Sequence, residues 1–166
     1  MTTIAYRDGI LAADTQGDWG GTKTVAAKIH RLPGLILAGS GQTWRIKAIL
    51  KCIKRSHSTQ EDLSLIWRDV VSNFYDPHHD RDSDGTPDML LIQPVTGNYM
   101  LLNGPMFMPC DLGQGFIAIG SGCEYALGAM HAGATAKQAV EAAVALDTNS
   151  GGCVEVMDVR TQPLDC

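Results

Sequence analysis

Met1-Thr2-Thr3-Ile4-Ala5-Tyr6-Arg7-Asp8-Gly9-Ile10-Leu11-Ala12-Ala13-Asp14 reads as two short strands, Thr3 to Arg7 and Ile10 to Ala13, folded back on each other at Asp8-Gly9. Both turn positions tolerate positive φ, which a tight hairpin requires. The first strand opens directly behind a threonine, and the second ends on Asp14. Removal of Met1 makes Thr2 the N-terminus, and a terminal threonine carries a nucleophile and a base in one residue. Its hydroxyl can attack a carbonyl while its own α-amino group takes the proton. That amine has an unperturbed pKa of about 8, suited to general base work at neutral pH, whereas a lysine near 10.4 stays mostly protonated. Taken singly, Thr2 is also what the inert start of a strand looks like.

Working outward, Thr15 to Thr24 reads as a polar, glycine-rich loop, followed by a strand near Ala26 to Arg31, a Leu32-Pro33-Gly34 turn and an apolar strand from Leu35 to Ala38. This second hairpin ends in Gly39-Ser40-Gly41, where missing side chains let backbone amides approach a ligand. From Gln42 the period changes, with Ile46, Ile49, Leu50 and Ile53 at i, i+3, i+4 and i+7 on one helical face. Ser58 with Glu61 forms a capping box for a second helix carrying Leu63, Ile66, Trp67, Val70 and Val71 inward.

Beyond a loop over Tyr75 to Pro87, Met89 to Gln93 and Asn98 to Leu102 make a third hairpin, and Gly115 to Ile119 another strand. Two helices follow, one after Gly120-Ser121-Gly122 and one capped by Thr135 with Gln138, before Asp147-Thr148-Asn149-Ser150-Gly151-Gly152 and a strand from Cys153 to Val159. Hairpins and paired helices, rather than strictly alternating strand and helix, predict an α+β fold: a four-layer αββα sandwich of two antiparallel sheets flanked by helix pairs. No repeat or linker interrupts the chain, so one domain is expected over residues 1–166, long enough to bury about 70% of its unfolded surface.

Apolar residues make up 45% of the chain and charged residues 19%, the balance of a soluble globular protein. The net charge of -5 argues against a nucleic-acid partner, and the basic run from Lys47 to Arg55 reads as the solvated face of a helix. Cys52, Cys110, Cys123, Cys153 and Cys166 are odd in number and form no C-x-x-C pair, which suggests reduced thiols in a cytoplasmic protein. No signal-peptide pattern or apolar run of membrane-spanning length is present, so no membrane partner is expected.

Several stretches together resemble the proteasome β-subunit and HslV-like family of N-terminal-nucleophile hydrolases: Thr2-Thr3-Ile4, Ala12-Ala13-Asp14, Lys28-Ile29-His30-Arg31-Leu32, Ala38-Gly39-Ser40-Gly41, the run from Ile117 to Ala126, and the D-x-x-S-G-G form of Asp147 to Gly152. They occur in order along the whole chain. Without the resemblance, Asp14 reads as a strand-end turn residue, Lys28 as an exposed strand lysine, Gly39 as a helix-entry glycine, Ser121 and Ser150 as caps, and Asp147 as a cap or ion-pair partner.

The resemblance implies a threonine peptidase with no catalytic cofactor. Thr2 is the nucleophile, Lys28 held by Asp14 lowers the hydroxyl pKa, the Gly39 N–H stabilises the oxyanion, and Ser121, Asp147 and Ser150 orient the terminal amine. Ala26, Leu37 and Gly41 then line the pocket for the side chain before the cleaved bond, implying an apolar preference. Family likeness also implies polypeptide substrates and self-assembly into homo-oligomeric rings, with an ATP-dependent unfoldase as a candidate partner that the sequence does not decide. A small-molecule amidase and a non-catalytic ring or scaffold subunit are the alternatives.

One stretch departs from the family. Asp80-Arg81-Asp82-Ser83-Asp84-Gly85-Thr86-Pro87-Asp88 resembles a calcium loop, with Asp80, Asp82, Asp84 and Asp88 as candidate oxygen ligands for structural calcium. Loop position 12, acidic in an EF-hand, is Leu91 here, so a solvated acidic loop is the competing reading.

Overall fold

The computed structural model describes residues 2–56, 87–94, 99–103, 106–109 and 115–161. They fall into two compact units, one formed by residues 1–29 and 111–166 and the other by residues 30–110.

The first unit is built on the opening hairpin. β1 (Thr3–Arg7) and β2 (Ile10–Asp14) pair antiparallel in the register Ile4 to Ala13, with Asp8 and Gly9 both at positive φ. β1 also pairs with β10 (Phe116–Gly120), and β2 with β11 (Val154–Asp158), giving the strand order β10-β1-β2-β11. The hairpin is therefore the centre of its sheet. Helices α2 (Cys123–His131) and α3 (Ala136–Leu146) pack on one face, where Ala5, Ala12, Ala126, Met130, Ala139, Val140 and Ala143 form a core of small side chains. Small residues let helix and sheet approach closely.

α3 starts as its sequence predicts. The Thr135 hydroxyl accepts from the Gln138 N–H at 3.3 Å, and the Gln138 side chain accepts from the Thr135 N–H at 3.0 Å, the two halves of a capping box. The other end of α2 is held from the sheet: the Arg7 guanidinium donates to the Met130 and Ala134 carbonyls at 2.6 and 2.8 Å. It thereby ties the last turn of α2 and the loop after it to the first strand of the sheet.

The expected loop over Thr15 to Thr24 is instead a hairpin, β3 (Gln16–Trp19) against β4 (Thr22–Val25). Gly20 and Gly21 both take positive φ, as a two-residue primed turn requires. No apolar alternation announces these strands, because most of their side chains face solvent, Trp19 and Val25 included.

In the second unit the strand order is β5-β6-β7-β8-β9, comprising β5 (Ile29–Leu32), β6 (Leu35–Ser40), β7 (Asp88–Ile92), β8 (Tyr99–Asn103) and β9 (Met106–Pro109). The sequence did not signal β9. Helix α1 (Thr43–Ser56) buries Ile46, Ile49, Leu50 and Ile53 against Leu35, Leu37, Met89 and Leu91, the face its spacing predicts. Each unit is thus a helix layer on an antiparallel sheet, the pairing that an αββα sandwich uses twice. The helix expected from Ser58 to Val71 lies outside the described residues, and so do Asp80, Asp82 and Asp84. Asp88 opens β7, where burial pushes its carboxyl pKa up. Among the described residues no helix is long and apolar enough to cross a membrane.

Candidate active site

The site grows from the end of β2. Asp14 is fully buried, and its carboxylate is surrounded by donors: the Lys28 ammonium and the Thr3 N–H reach Oδ1 at 2.6 and 2.7 Å, and the Gly151 and Gln16 N–H groups reach Oδ2 at 2.9 and 3.2 Å. Lys28 is 5% exposed, so the ion pair lies out of water. Burial pulls the Lys28 pKa below the ordinary lysine value, against the hydrogen bond and charge of Asp14, which act to raise it. Thr2, one residue before β1, is itself only 4% exposed.

A second carboxylate lies across the same unit. Asp147 is the C-cap residue of α3, and its Oδ2 receives the hydroxyls of Ser121 and Ser150, each at 2.7 Å, while the Asn149 N–H reaches Oδ1 at 3.0 Å. Burial pushes this carboxyl up, but the hydrogen bonds from Ser150, Asn149 and Ser121 outweigh it, and its pKa lies below the ordinary carboxylate value. At neutral pH Asp147 is therefore ionised and can only accept. Both serines must donate to it, so the 2.6 Å bond between Ser150 and Thr3 runs from the Thr3 hydroxyl to the Ser150 oxygen. The Thr2 carbonyl oxygen lies 3.4 Å from the Ser121 hydroxyl, a longer contact than the one Ser121 makes to Asp147.

The structure thus brings Asp14, Lys28, Ser121, Asp147 and Ser150 together around Thr2 and Thr3, all within the first unit. Ala26, after β4, sits half-buried in that unit, its N–H donating to the Thr15 carbonyl at 2.9 Å. Leu37, Gly39 and Gly41 belong to the second unit. Leu37 is buried in that unit's core, Gly39 pairs with Met89, and a side chain at Gly39 would press on Ile46 at 3.1 Å.

Sequence reasoning missed Thr3, which joins the two carboxylate networks. The available signal was its period-two match with Ala5 on the helix-covered face, where a buried hydroxyl needs a partner. Gly122 belongs to the same locality: a Cβ there would collide with the Thr3 hydroxyl and come within 3.0 Å of the Ala143 Cβ.

No protein-family model matches the chain, and no curated protein matches it. Solved structures do. BPH of Thiobacillus denitrificans, in a complex with epoxomicin, is 26% identical with a TM-score of 0.70, covering 95% of this chain and 98% of its own. HslV from Trypanosoma brucei is 17% identical with a TM-score of 0.72, over 94% and 97% of the two chains. Anbu, an ancestral beta-subunit from Yersinia bercovieri, is 15% identical with a TM-score of 0.69, over 95% and 80%. The expected fold class agrees with what these structures share with this chain, antiparallel sheets with flanking helices. What the chain is similar to, over nearly its whole length, is the proteasome-type group of structures to which BPH, HslV and Anbu belong.

Proposed function

We propose that the protein is a threonine endopeptidase whose nucleophile is the Thr2 hydroxyl, freed by removal of what precedes it. The observation that carries this reading is the buried Lys28–Asp14 pair, tied through the Thr3 N–H to the residue directly after Thr2. A cation held out of water in this network favours the alkoxide that would develop at Thr2 during attack, because the interior screens it weakly.

In the first step a bond forms between Thr2 Oγ1 and the substrate carbonyl carbon, while the Thr2 amine takes the hydroxyl proton. Collapse breaks the C–N bond, the amine returns that proton to the leaving group, and water then hydrolyses the ester. The resemblance assigns Ser121, Asp147 and Ser150 to orienting the Thr2 amine, and the contact of Ser121 with the Thr2 carbonyl and of Ser150 with Thr3 supports that role. The assignment of the oxyanion donor to Gly39 and of the substrate pocket to Ala26, Leu37 and Gly41 rests on the family resemblance. So does the wider setting of polypeptide substrates, enclosing rings and an ATP-driven unfoldase.

The test is intact-mass measurement after incubation with epoxomicin, the compound that BPH carries. The expected result is a chain beginning at Thr2 with one added epoxomicin, no addition to Thr2→Ala, and no hydrolysis of an unfolded, labelled polypeptide by Thr2→Ala. Hydrolysis at the native rate by Thr2→Ala would overturn the reading.

A further inference from the structure

Thr3 is completely buried, and both of its hydrogen-bond donors are engaged, on different carboxylate networks. Its N–H binds Asp14, which holds Lys28; its hydroxyl binds Ser150, which with Ser121 is held by Asp147. Gly122 packs against it so closely that a Cβ at that position would collide with the Thr3 hydroxyl. Because Ser150 gives its own proton to Asp147, the donor its oxygen receives is the Thr3 hydroxyl, which an alanine or valine cannot supply.

We propose that Thr3 is a positioning residue for the reaction, its hydroxyl and N–H joining the Asp14 and Asp147 networks so that the adjoining Thr2 is held in one geometry. The inference rests on the reading of Thr2 as nucleophile. A donor into Ser150 polarises the Ser150–Asp147 bond and stops the Ser150 hydroxyl from rotating. The expected consequence of losing it is a slower chemical step with unchanged substrate affinity, since Thr3 is itself enclosed and touches no substrate.

The experiment compares Thr3→Ser, Thr3→Ala and Thr3→Val on a fluorogenic peptide amide with an apolar residue before the cleaved bond, with intact mass confirming that each chain begins at Thr2. Thr3→Ser keeps the hydroxyl and is expected within about twofold of native kcat. Thr3→Ala and Thr3→Val remove it, one vacating space and one conserving it, and each is expected to lose roughly tenfold in kcat with KM unmoved, as for one net hydrogen bond. Equal kcat across the three variants, or a loss carried by KM, would overturn the proposal. If both hydroxyl-free variants fail to fold while Thr3→Ser folds, the bond serves the fold and the proposal is equally overturned. Thr2→Ala is run alongside: if it keeps native activity the nucleophile reading fails, whereas an inactive Thr2→Ala beside a fully active Thr3→Ala refutes only the role of Thr3.

Discussion

Asp14 holds one cation but accepts from three backbone amides as well, and this asymmetry decides which half of the ion pair matters more to the fold. Asp14→Ala leaves a buried ammonium without its carboxylate and strips those amides of their acceptor, a loss of about 3–5 kcal/mol. Lys28→Met leaves the carboxylate charge with its amide donors and is expected to cost roughly 1–2 kcal/mol. Urea midpoints of the two variants measure the difference; equal losses would mean that the amides do not stabilise Asp14. With Lys28 in its proposed role, the same pair sets a pH limit on activity. Lys28 loses its proton below the ordinary value of 10.5, so kcat/KM falls as pH rises through that lowered pKa. Asp14→Asn removes the influences that raise the Lys28 pKa, so the alkaline limb moves to lower pH still. An unmoved limb would detach Asp14 from the charge state of Lys28.

At the scale of elements, α3 is stabilised at its start and burdened at its end. Its Thr135–Gln138 capping box is worth about 1 kcal/mol, so Thr135→Ala lowers thermal stability by that order without changing kcat. At the C-terminal end sits Asp147, a negative charge where the helix dipole prefers a positive one. Its pKa is nevertheless below the ordinary 3.8, because hydroxyl and amide donors surround it. The sign follows from the lowered folded-state pKa: Asp147 contributes stability above 3.8 that is lost as pH falls through its own pKa. Unfolding curves at decreasing pH are expected to show this loss in the native protein and not in Asp147→Asn.

The elements that local chemistry marks were legible in the chain. Glycine turns marked the opening hairpin, the capping pair marked α3, and the isoleucine spacing marked α1. β3 and β4 were not, because exposed strands of Gln-Gly-Asp-Trp and Thr-Lys-Thr-Val carry no inward face. Asp14, Lys28 and Asp147 acquired roles only through family resemblance, since each is an ordinary turn, strand or cap residue until its neighbours are known. Thr3 stayed hidden because its partner Ser150 lies 147 positions along the chain, and no local pattern encodes that meeting.

For the whole molecule, the proposed ring assembly predicts a native mass that is a multiple of the single-chain mass, read by native mass spectrometry. A single-chain mass at working concentration would remove the enclosing chamber and favour a small-molecule amidase. The central position of β1 bears on the start of the mature chain itself. Thr3 is already paired with Gly120 and Ile4 with Ala13, so the strand cannot slide by one residue without turning every side chain to the wrong face. The sheet acts as a gauge with a single residue of free length beyond it. A chain retaining one residue ahead of Thr2 folds the same and has its amine displaced by about 3.3 Å, one strand step. With Thr2 as the proposed nucleophile, maturation has to be accurate to the residue, and the tolerance is set by the hydrogen-bond ladder of the first strand.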